Sequence, residues 1–424
     1  MKLVSRLVPG GRPEDRAVRR VVAAVSISAF AEWGGSSAVL PLLPVYLRRH
    51  GSSVTMVGFT MAAFFAAAVA VQYPLGRLSD RIGRRTIQVG GLVTYSLATL
   101  LFIFFSAPVA TLALRALQGA GVGIVDVANS ATIGEVVPES QRGRAYGALY
   151  GTRTVGMAVA PFLGGLFGLH AMSWLFLAAA IAVLLAALPI LLFTPRFSQR
   201  EPLRRHERTL LWRNRSVMGV GVAFLAGGIV VGMYEVCWSL LLTMRGARSW
   251  EIGLSWTLFA IPFAVISVPA GWLVDHMDRR VLTLVALAGT AAFASTYPFV
   301  GSVAWLVGLG AGEAVTVALG GPAQSAQLSR SVDGRELGRA QGAVSTAQTG
   351  AMAVSASIAG ALFGLRAWLP FVLAGALIVC CIGVIGLLWR GVPGRGSAVP
   401  ARAGHPAAEL VPVSSPEPSL EQAG

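Results

Sequence analysis

Gly76-Arg77-Leu78-Ser79-Asp80-Arg81-Ile82-Gly83-Arg84-Arg85 recurs, altered, as Gly271-Trp272-Leu273-Val274-Asp275-His276-Met277-Asp278-Arg279-Arg280. The copies lie 195 residues apart, and each directly follows an apolar run long enough to cross a bilayer. At the same offset Gly143-Arg144-Ala145 repeats as Gly338-Arg339-Ala340, and Met157-Ala158-Val159 as Met352-Ala353-Val354. The chain reads as a duplicated membrane protein.

Composition agrees. Of 424 residues 55% are hydrophobic and only 12% charged, and the mean hydropathy is +0.68. A water-exposed surface needs far more charge, so most of this surface faces lipid. The net charge of +15 does not point to nucleic acid, because the basic residues sit in short clusters between apolar runs and form no continuous basic face. Cys237, Cys380 and Cys381 all fall inside apolar segments without metal-ligand spacing, so neither a metal site nor a disulfide is expected. The first apolar run is too long for a signal peptide.

Apolar stretches of about 20 residues bounded by charge or turn residues predict twelve helical spans. They lie near 21–47, 54–76, 86–105, 109–134, 145–168, 171–193, 216–243, 252–274, 281–300, 302–328, 340–364 and 367–389. Continuous rather than alternating hydrophobicity favours helices over barrel strands. One side of the membrane collects 27 of the 34 Lys and Arg residues and the other side five, with Arg115 and Arg153 inside spans. That imbalance places both termini in the cytoplasm of a multi-pass inner-membrane protein. The expected organisation is a cytoplasmic segment 1–20, a six-helix bundle 21–193, a basic linker 194–215, a second bundle 216–389 and a disordered cytoplasmic tail 390–424 rich in Pro, Ala, Gly and Ser. The linker's seven arginines suit anionic headgroups, although a positive-inside signal with no specific lipid partner is the preferred reading.

A duplicated six-plus-six helix chain with this loop resembles the major facilitator superfamily of secondary transporters, most closely its drug:proton antiporters. The resemblance covers roughly residues 20–390, and the family pattern Gly-x-Leu-small-Asp-Arg-x-Gly-Arg-Lys/Arg stands ungapped at 76–85. It implies an all-α fold of twelve transmembrane helices in two pseudo-symmetric bundles. Gly76 and Gly83 permit a tight turn, while Arg81, Arg84 and Arg85 hold the loop at the headgroups. By resemblance, Asp80 and Arg84 form a cytoplasmic latch of the outward-open state, with Glu135 and Arg144 as partners. The plainer alternative is a topology signal. Leu112-x-x-Arg115-x-x-Gln118-Gly119 resembles the family's fourth-span motif, in which a buried arginine is tied to proton coupling. Gly156-x-x-x-Ala160-Pro161-x-x-Gly164-Gly165 resembles the fifth-span motif of the antiporters, with Ala160 in place of a usual glycine. Small residues and a proline there also serve close helix packing.

Charges inside spans are costly and need a partner or water. Glu32 lies about 18 Å into the membrane and Arg115 at similar depth, counting roughly 1.5 Å per residue. In the family, spans 1, 4, 7 and 10 line a central cavity, which would bring these two together. Arg115, Gln118, Asp126 and Asn129 share a helix face, a polar stripe read as pointing inward. Asp126 and Arg153 have depths that permit an ion pair, structural or functional. Glu313, near mid-depth with no arginine close in sequence, is read as an unpaired carboxylate. Glu32 and Glu313 are the candidate proton carriers, with Arg115 biasing them and Asp126 completing the set. Glu235 is expected to be solvated at the cavity mouth. Leu40-Pro41-Leu42-Leu43-Pro44 should break the outer end of span 1, a candidate gate. Aromatic residues such as Trp33, Tyr234 and Trp238 are assigned to packing.

The leading expectation is efflux of lipophilic or cationic small molecules in exchange for protons, by a functional monomer. The proton gradient would drive it, with no cofactor and no metal, and the partners would be substrate, protons and membrane lipids. A proton symporter importing a nutrient and a lipid-handling member of the same family are the alternatives. No nucleotide loop or nucleophile–base set suggests an enzyme.

Overall fold

The computed structural model describes residues 13–195, 211–333 and 336–391. Most of the basic linker, the tail beyond Gly391 and the first twelve residues lie outside them. The side chains of Asp80 and Arg81, and Gly76, also lie outside the described residues.

The described chain is helical. In the first half α1 (Pro13–Val39), α2 (Leu43–Arg49), α3 (Val54–Ile82), α4 (Arg84–Leu101), α5 (Pro108–Val136), α6 (Glu139–Phe167), α7 (Met172–Leu185) and α8 (Ala187–Phe193) follow one another. The second half contains α9 (Arg215–Met244), α10 (Ser249–His276), α11 (Arg279–Thr296), α12 (Val303–Ser331), α13 (Leu337–Leu365) and α14 (Leu369–Leu388). Nine helical stretches among the described residues have the length and apolarity to cross a membrane. The other three expected spans fall outside that set: α1 carries Glu32 and α6 carries Arg153 among many small residues within the span, and α4 opens on Arg84 and Arg85. Phe104, Trp174, Leu192, Trp305 and Leu365 project exposed apolar side chains, a surface suited to lipid. The chain is a multi-pass membrane protein.

The duplication sets the helix bounds. Arg84 and Arg279 open α4 and α11, Leu101 and Thr296 close them, and Pro108–Val136 maps onto Val303–Ser331, all at the 195-residue offset. The two repeated loops reach the same end by different chemistry. Gly83 caps α4 with φ 91°, a left-handed conformation that favours glycine. Its counterpart Asp278 caps α11 with φ −68°, and its carboxylate accepts from the Arg280 amide at 2.9 Å and from the Arg280 side chain at 2.7 Å. The side-chain bond from Arg280 holds the Asp278 carboxyl below its ordinary range, so this cap is fully charged at neutral pH. It weakens only as pH falls through that lowered value.

Two crossings join the halves. On α3 and α13, a Cβ at Gly58 would meet the Ala356 carbonyl at 2.8 Å, and one at Gly360 would meet the Gly58 amide at 3.1 Å and overlap the Val54 carbonyl. On α6 and α10, a Cβ at Gly165 would meet the Ser249 carbonyl at 2.7 Å, and one at Gly253 would lie 3.0 Å from Gly165 Cα and overlap the Pro161 carbonyl. Gly58 and Gly253 are repeat equivalents, as are Gly165 and Gly360, so the crossings are one contact used twice. Lipid provides little hydrophobic drive for helix association, and such backbone approach is how spans gain dispersion energy.

These crossings lie at the end of the molecule that carries α2. There Leu42, Leu43, Tyr46 and Met61 of the first half share one apolar cluster with Val236, Leu240, Ile252 and Phe363 of the second. Toward the opposite end the buried clusters separate, one around Val25, Leu92 and Ile133, touched from the second half by Met352 and Ala353, the other around Val220, Leu328 and Val344. Gly143, Gly147 and Gly151 on α6 and Gly338, Gly342 and Gly350 on α13 face open space. The halves are closed at one end and splayed at the other. Gly253→Leu should overpack the closed end and lower the melting temperature in detergent, by an amount equivalent to about 1–3 kcal/mol. Gly147→Leu should leave it unchanged, and equal losses for the two variants would contradict this packing.

Candidate functional site

Charged side chains inside the helices gather in three places. The first involves α1, α5 and α6. Glu32 is 1% exposed, and neither carboxylate oxygen has a hydrogen-bond partner. The charges that act on it are Asp126 and Arg153. Arg153 Nη1 lies 3.5 Å from Asp126 Oδ2, and its guanidinium sits over the Trp33 ring, 3.4 Å from the centroid. Trp33 Nε1 also lacks a partner. An aromatic face thus already receives a cation beside a carboxylate pair.

Arg115 forms the second group, buried in the first half. Its Nη1 donates to Gln118 Oε1 at 3.0 Å, Gln118 Nε2 donates to Thr99 Oγ1 at 2.9 Å, and the guanidinium covers the Phe64 ring at 4.2 Å. The carboxylate acting on Arg115 is Glu235 of α9, across the boundary between halves. Glu235 is buried, contrary to its expected solvated position, because α2 and α9 pack together and cover the mouth where it would open. Depth counting placed Glu32 against Arg115, but the charges that act on Glu32 are Asp126 and Arg153, and the carboxylate that acts on Arg115 is Glu235. Height along a helix does not set azimuth.

The polar stripe on α5 divides for the same reason. Gln118 faces α4 through Thr99, and Asn129 accepts from Gln88 Nε2 at 2.9 Å, also on α4. Only Asp126 reaches α6. The stripe mainly ties α4 to α5 within the first half.

Glu313 on α12 forms the third group. It is 1% exposed but paired: Tyr297 Oη donates to Oε2 at 2.6 Å and Tyr234 Oη to Oε1 at 3.1 Å. Trp238 packs edge-on to Tyr297 with centroids 4.8 Å apart, and Phe371 lies 6.0 Å from Tyr234. Sequence reasoning read this carboxylate as unpaired, because its donors stand 16 and 79 residues away. Tyr297 was missed altogether, although a tyrosine just before Pro298 at a span end is a weak pointer to it.

In the loop region, Arg84 donates to Glu135 Oε1 from Nε at 3.1 Å and from Nη2 at 2.9 Å. Arg144 is exposed and makes no ion pair with Glu135, and Arg85 is half-buried. The expected contribution of Asp80 lies outside the described residues. On α6, Gly156 meets the backbone of Gly34 and Phe30, Gly164 that of Ala38, and Gly165 that of α10, with Pro161 buried between them. The fifth-span motif is a two-sided packing surface, against α1 and against the other half.

The family model described as Major Facilitator Superfamily matches residues 25–250 and 238–418. The chain belongs to the Major Facilitator Superfamily. It is a transporter, not an enzyme. Multidrug resistance protein 2 of Bacillus subtilis is 24% identical over 382 residues, covering 85% of this chain and 93% of that protein. The uncharacterized transporter YttB of the same organism is 28% identical, covering 58% of this chain and 62% of its own length. Inner membrane transport protein YajR of Escherichia coli is 30% identical, but the match covers only 33% of this chain and 32% of that protein. Among solved structures, the nucleoside transporter NupG superposes with a TM-score of 0.74 at 12% identity, over 87% of this chain and all of that one. A bacterial homolog of the human lysosomal transporter Spinster superposes at 0.72 and 17% identity, over 92% of this chain and all of that one. These solved structures establish the facilitator fold alone and leave this chain's cargo to its own residues.

Tyr297→Phe removes the shorter hydrogen bond to Glu313 while keeping the ring contacts. It should destabilise the protein by roughly 1–3 kcal/mol in thermal unfolding. A change below about 0.5 kcal/mol would show that the phenol does not hold the carboxylate. A double-mutant cycle on Arg84 and Glu135 should return a coupling of roughly 1–3 kcal/mol; additivity would contradict the pair.

Proposed function

We propose that this facilitator is a proton-coupled antiporter that exports lipophilic or cationic small molecules by alternating access. The observation that carries the reading is Glu32: a carboxylate buried within the spans, with no hydrogen-bond donor, beside a cation that already has a carboxylate of its own. A permanently charged group in that position would be very costly, so it belongs to a side chain that takes up and gives back a proton. When Glu32 loses its proton it competes with Asp126 for Arg153; when it regains the proton, Arg153 returns to Asp126. Cargo enters the same exchange. A cationic amphiphile can take the Trp33 face that Arg153 now covers, and its positive charge replaces the proton as partner of Glu32. Export follows when the halves close at the splayed end and part at the other.

The multidrug resistance relative that aligns over most of both chains supports this direction of transport. Glu313 is the second proton carrier in this scheme, its charged form held by two phenols and its neutral form able to donate to one of them. Arg115 acts on Glu235 across the boundary and biases which state the halves adopt. The Arg84–Glu135 pair forms the latch at the splayed end, which faces the cytoplasm with both termini. The unit is a monomer, driven by the proton gradient without a cofactor.

Purified protein in liposomes tests the assignment. Glu32→Gln should abolish exchange driven by a pH gradient while leaving cargo-induced quenching of tryptophan fluorescence within about tenfold of wild type. Undiminished gradient-driven transport by the variant would remove Glu32 from the mechanism.

A further inference from the structure

The two halves treat the ends of equivalent helices differently. Arg84 and Arg279 both open the helix after their loop, and Glu135 and Arg330 stand at equivalent places near the ends of α5 and α12. In the first half Arg84 Nε and Nη2 both donate to Glu135. In the second half the equivalent pair is Arg279 and Arg330, two like charges that act on one another. Arg279 is only 6% exposed, and its Nε, the atom that in Arg84 reaches the carboxylate, has no hydrogen-bond partner. The charges acting on Arg279 are Arg330, Asp275 and Asp278. Asp278 is committed to capping α11 and to the Arg280 side chain, and Asp275 is exposed and forms no ion pair with Arg279. Because Asp278 already fills the α11 N-terminus, the demand for an anion comes from the two guanidinium groups.

A buried arginine without an acceptor, next to a second arginine, leaves donors unused and like charges unscreened. One phosphate group corrects both, since its oxygens accept from two guanidinium groups at once. We propose that Arg279 and Arg330 form a binding site for a phosphate-bearing anion at the splayed end of α11 and α12. The site is distinct from the charges around Glu32 and Glu313 and does not depend on the cargo or on proton coupling. The headgroup phosphate of an anionic lipid and free inorganic phosphate share the required chemistry.

Native mass spectrometry of the full-length protein, in detergent containing either phosphatidylglycerol or phosphatidylcholine, reads the lipid arm. Titration with inorganic phosphate, followed by thermal unfolding, reads the other. Arg330→Glu places a carboxylate opposite Arg279, as in the Arg84–Glu135 pair, so it should fold and satisfy the site from within. It should bind phosphatidylglycerol about tenfold more weakly than wild type. Arg330→Gln should lose a similar amount, which guards against a misfolded reversal variant. Arg390→Glu makes the same change in net charge at another exposed arginine and should bind as wild type does. If phosphatidylglycerol binding depends on Arg330 while inorganic phosphate has no effect, the ligand is a headgroup; if phosphate alone gives the Arg330-dependent stabilisation, it is the free ion. Equal binding of both probes by wild type, Arg330→Glu and Arg330→Gln would overturn the site.

Discussion

Close backbone contact between glycines holds this molecule together. In water, two six-helix bundles could associate by burying apolar side chains, but in lipid the bilayer competes equally for those side chains. What distinguishes helix from lipid is the fit of one backbone against another, and only a missing Cβ allows it here. Gly58 against Gly360 and Gly253 against Gly165 provide that fit at two symmetric crossings. Both lie at the end sealed by α2, so the halves are fastened near one surface and free to diverge toward the other. The separate apolar clusters and the unobstructed glycines of α6 and α13 at the far end follow from that arrangement.

Duplication produced a symmetric frame and an asymmetric interior. The positions equivalent to Glu32, Arg115, Asp126 and Arg153 are Gly227, Gly310, Gly321 and Gln348, so these charges of the first half have no counterparts in the second. Conversely Glu313 replaces the equivalent of Gln118, and Arg330 that of Glu135. Charged groups within a membrane are expensive enough that their uneven distribution carries chemical meaning. One half holds an unsatisfied carboxylate beside a shared cation, and the other holds a carboxylate clasped by tyrosines. Arg115 and Glu235 act on one another across the boundary.

The frame was legible in the sequence because it depends on local and repeating signals. The loop at 76–85 and its altered copy gave away the duplication, and the double proline of 41–44 marked the break between α1 and α2. Asp278 stands where the first copy has Gly83, and the structure makes it a side-chain cap that needs no left-handed backbone. The site was less legible. Counting residues along a helix gives depth, and it brought Asp126 and Arg153 to compatible heights, where they do meet. It does not give azimuth, so it joined Glu32 to Arg115, whereas the charges acting on Glu32 are Asp126 and Arg153. Nor can it reveal donors contributed by distant helices, which is why Tyr234 and Tyr297 were not linked to Glu313.

The central claim is that the halves move as bodies about the sealed end, opening alternately. Electron–electron distance measurements on two spin-label pairs test it most directly: Arg49 with Arg366 at the sealed end, and Gly147 with Gly342 at the splayed end. As the pH is stepped across neutrality in nanodiscs, the account predicts opposite changes, the inner pair shortening as the outer pair lengthens. Distances that stay fixed, or that lengthen and shorten together, would contradict it.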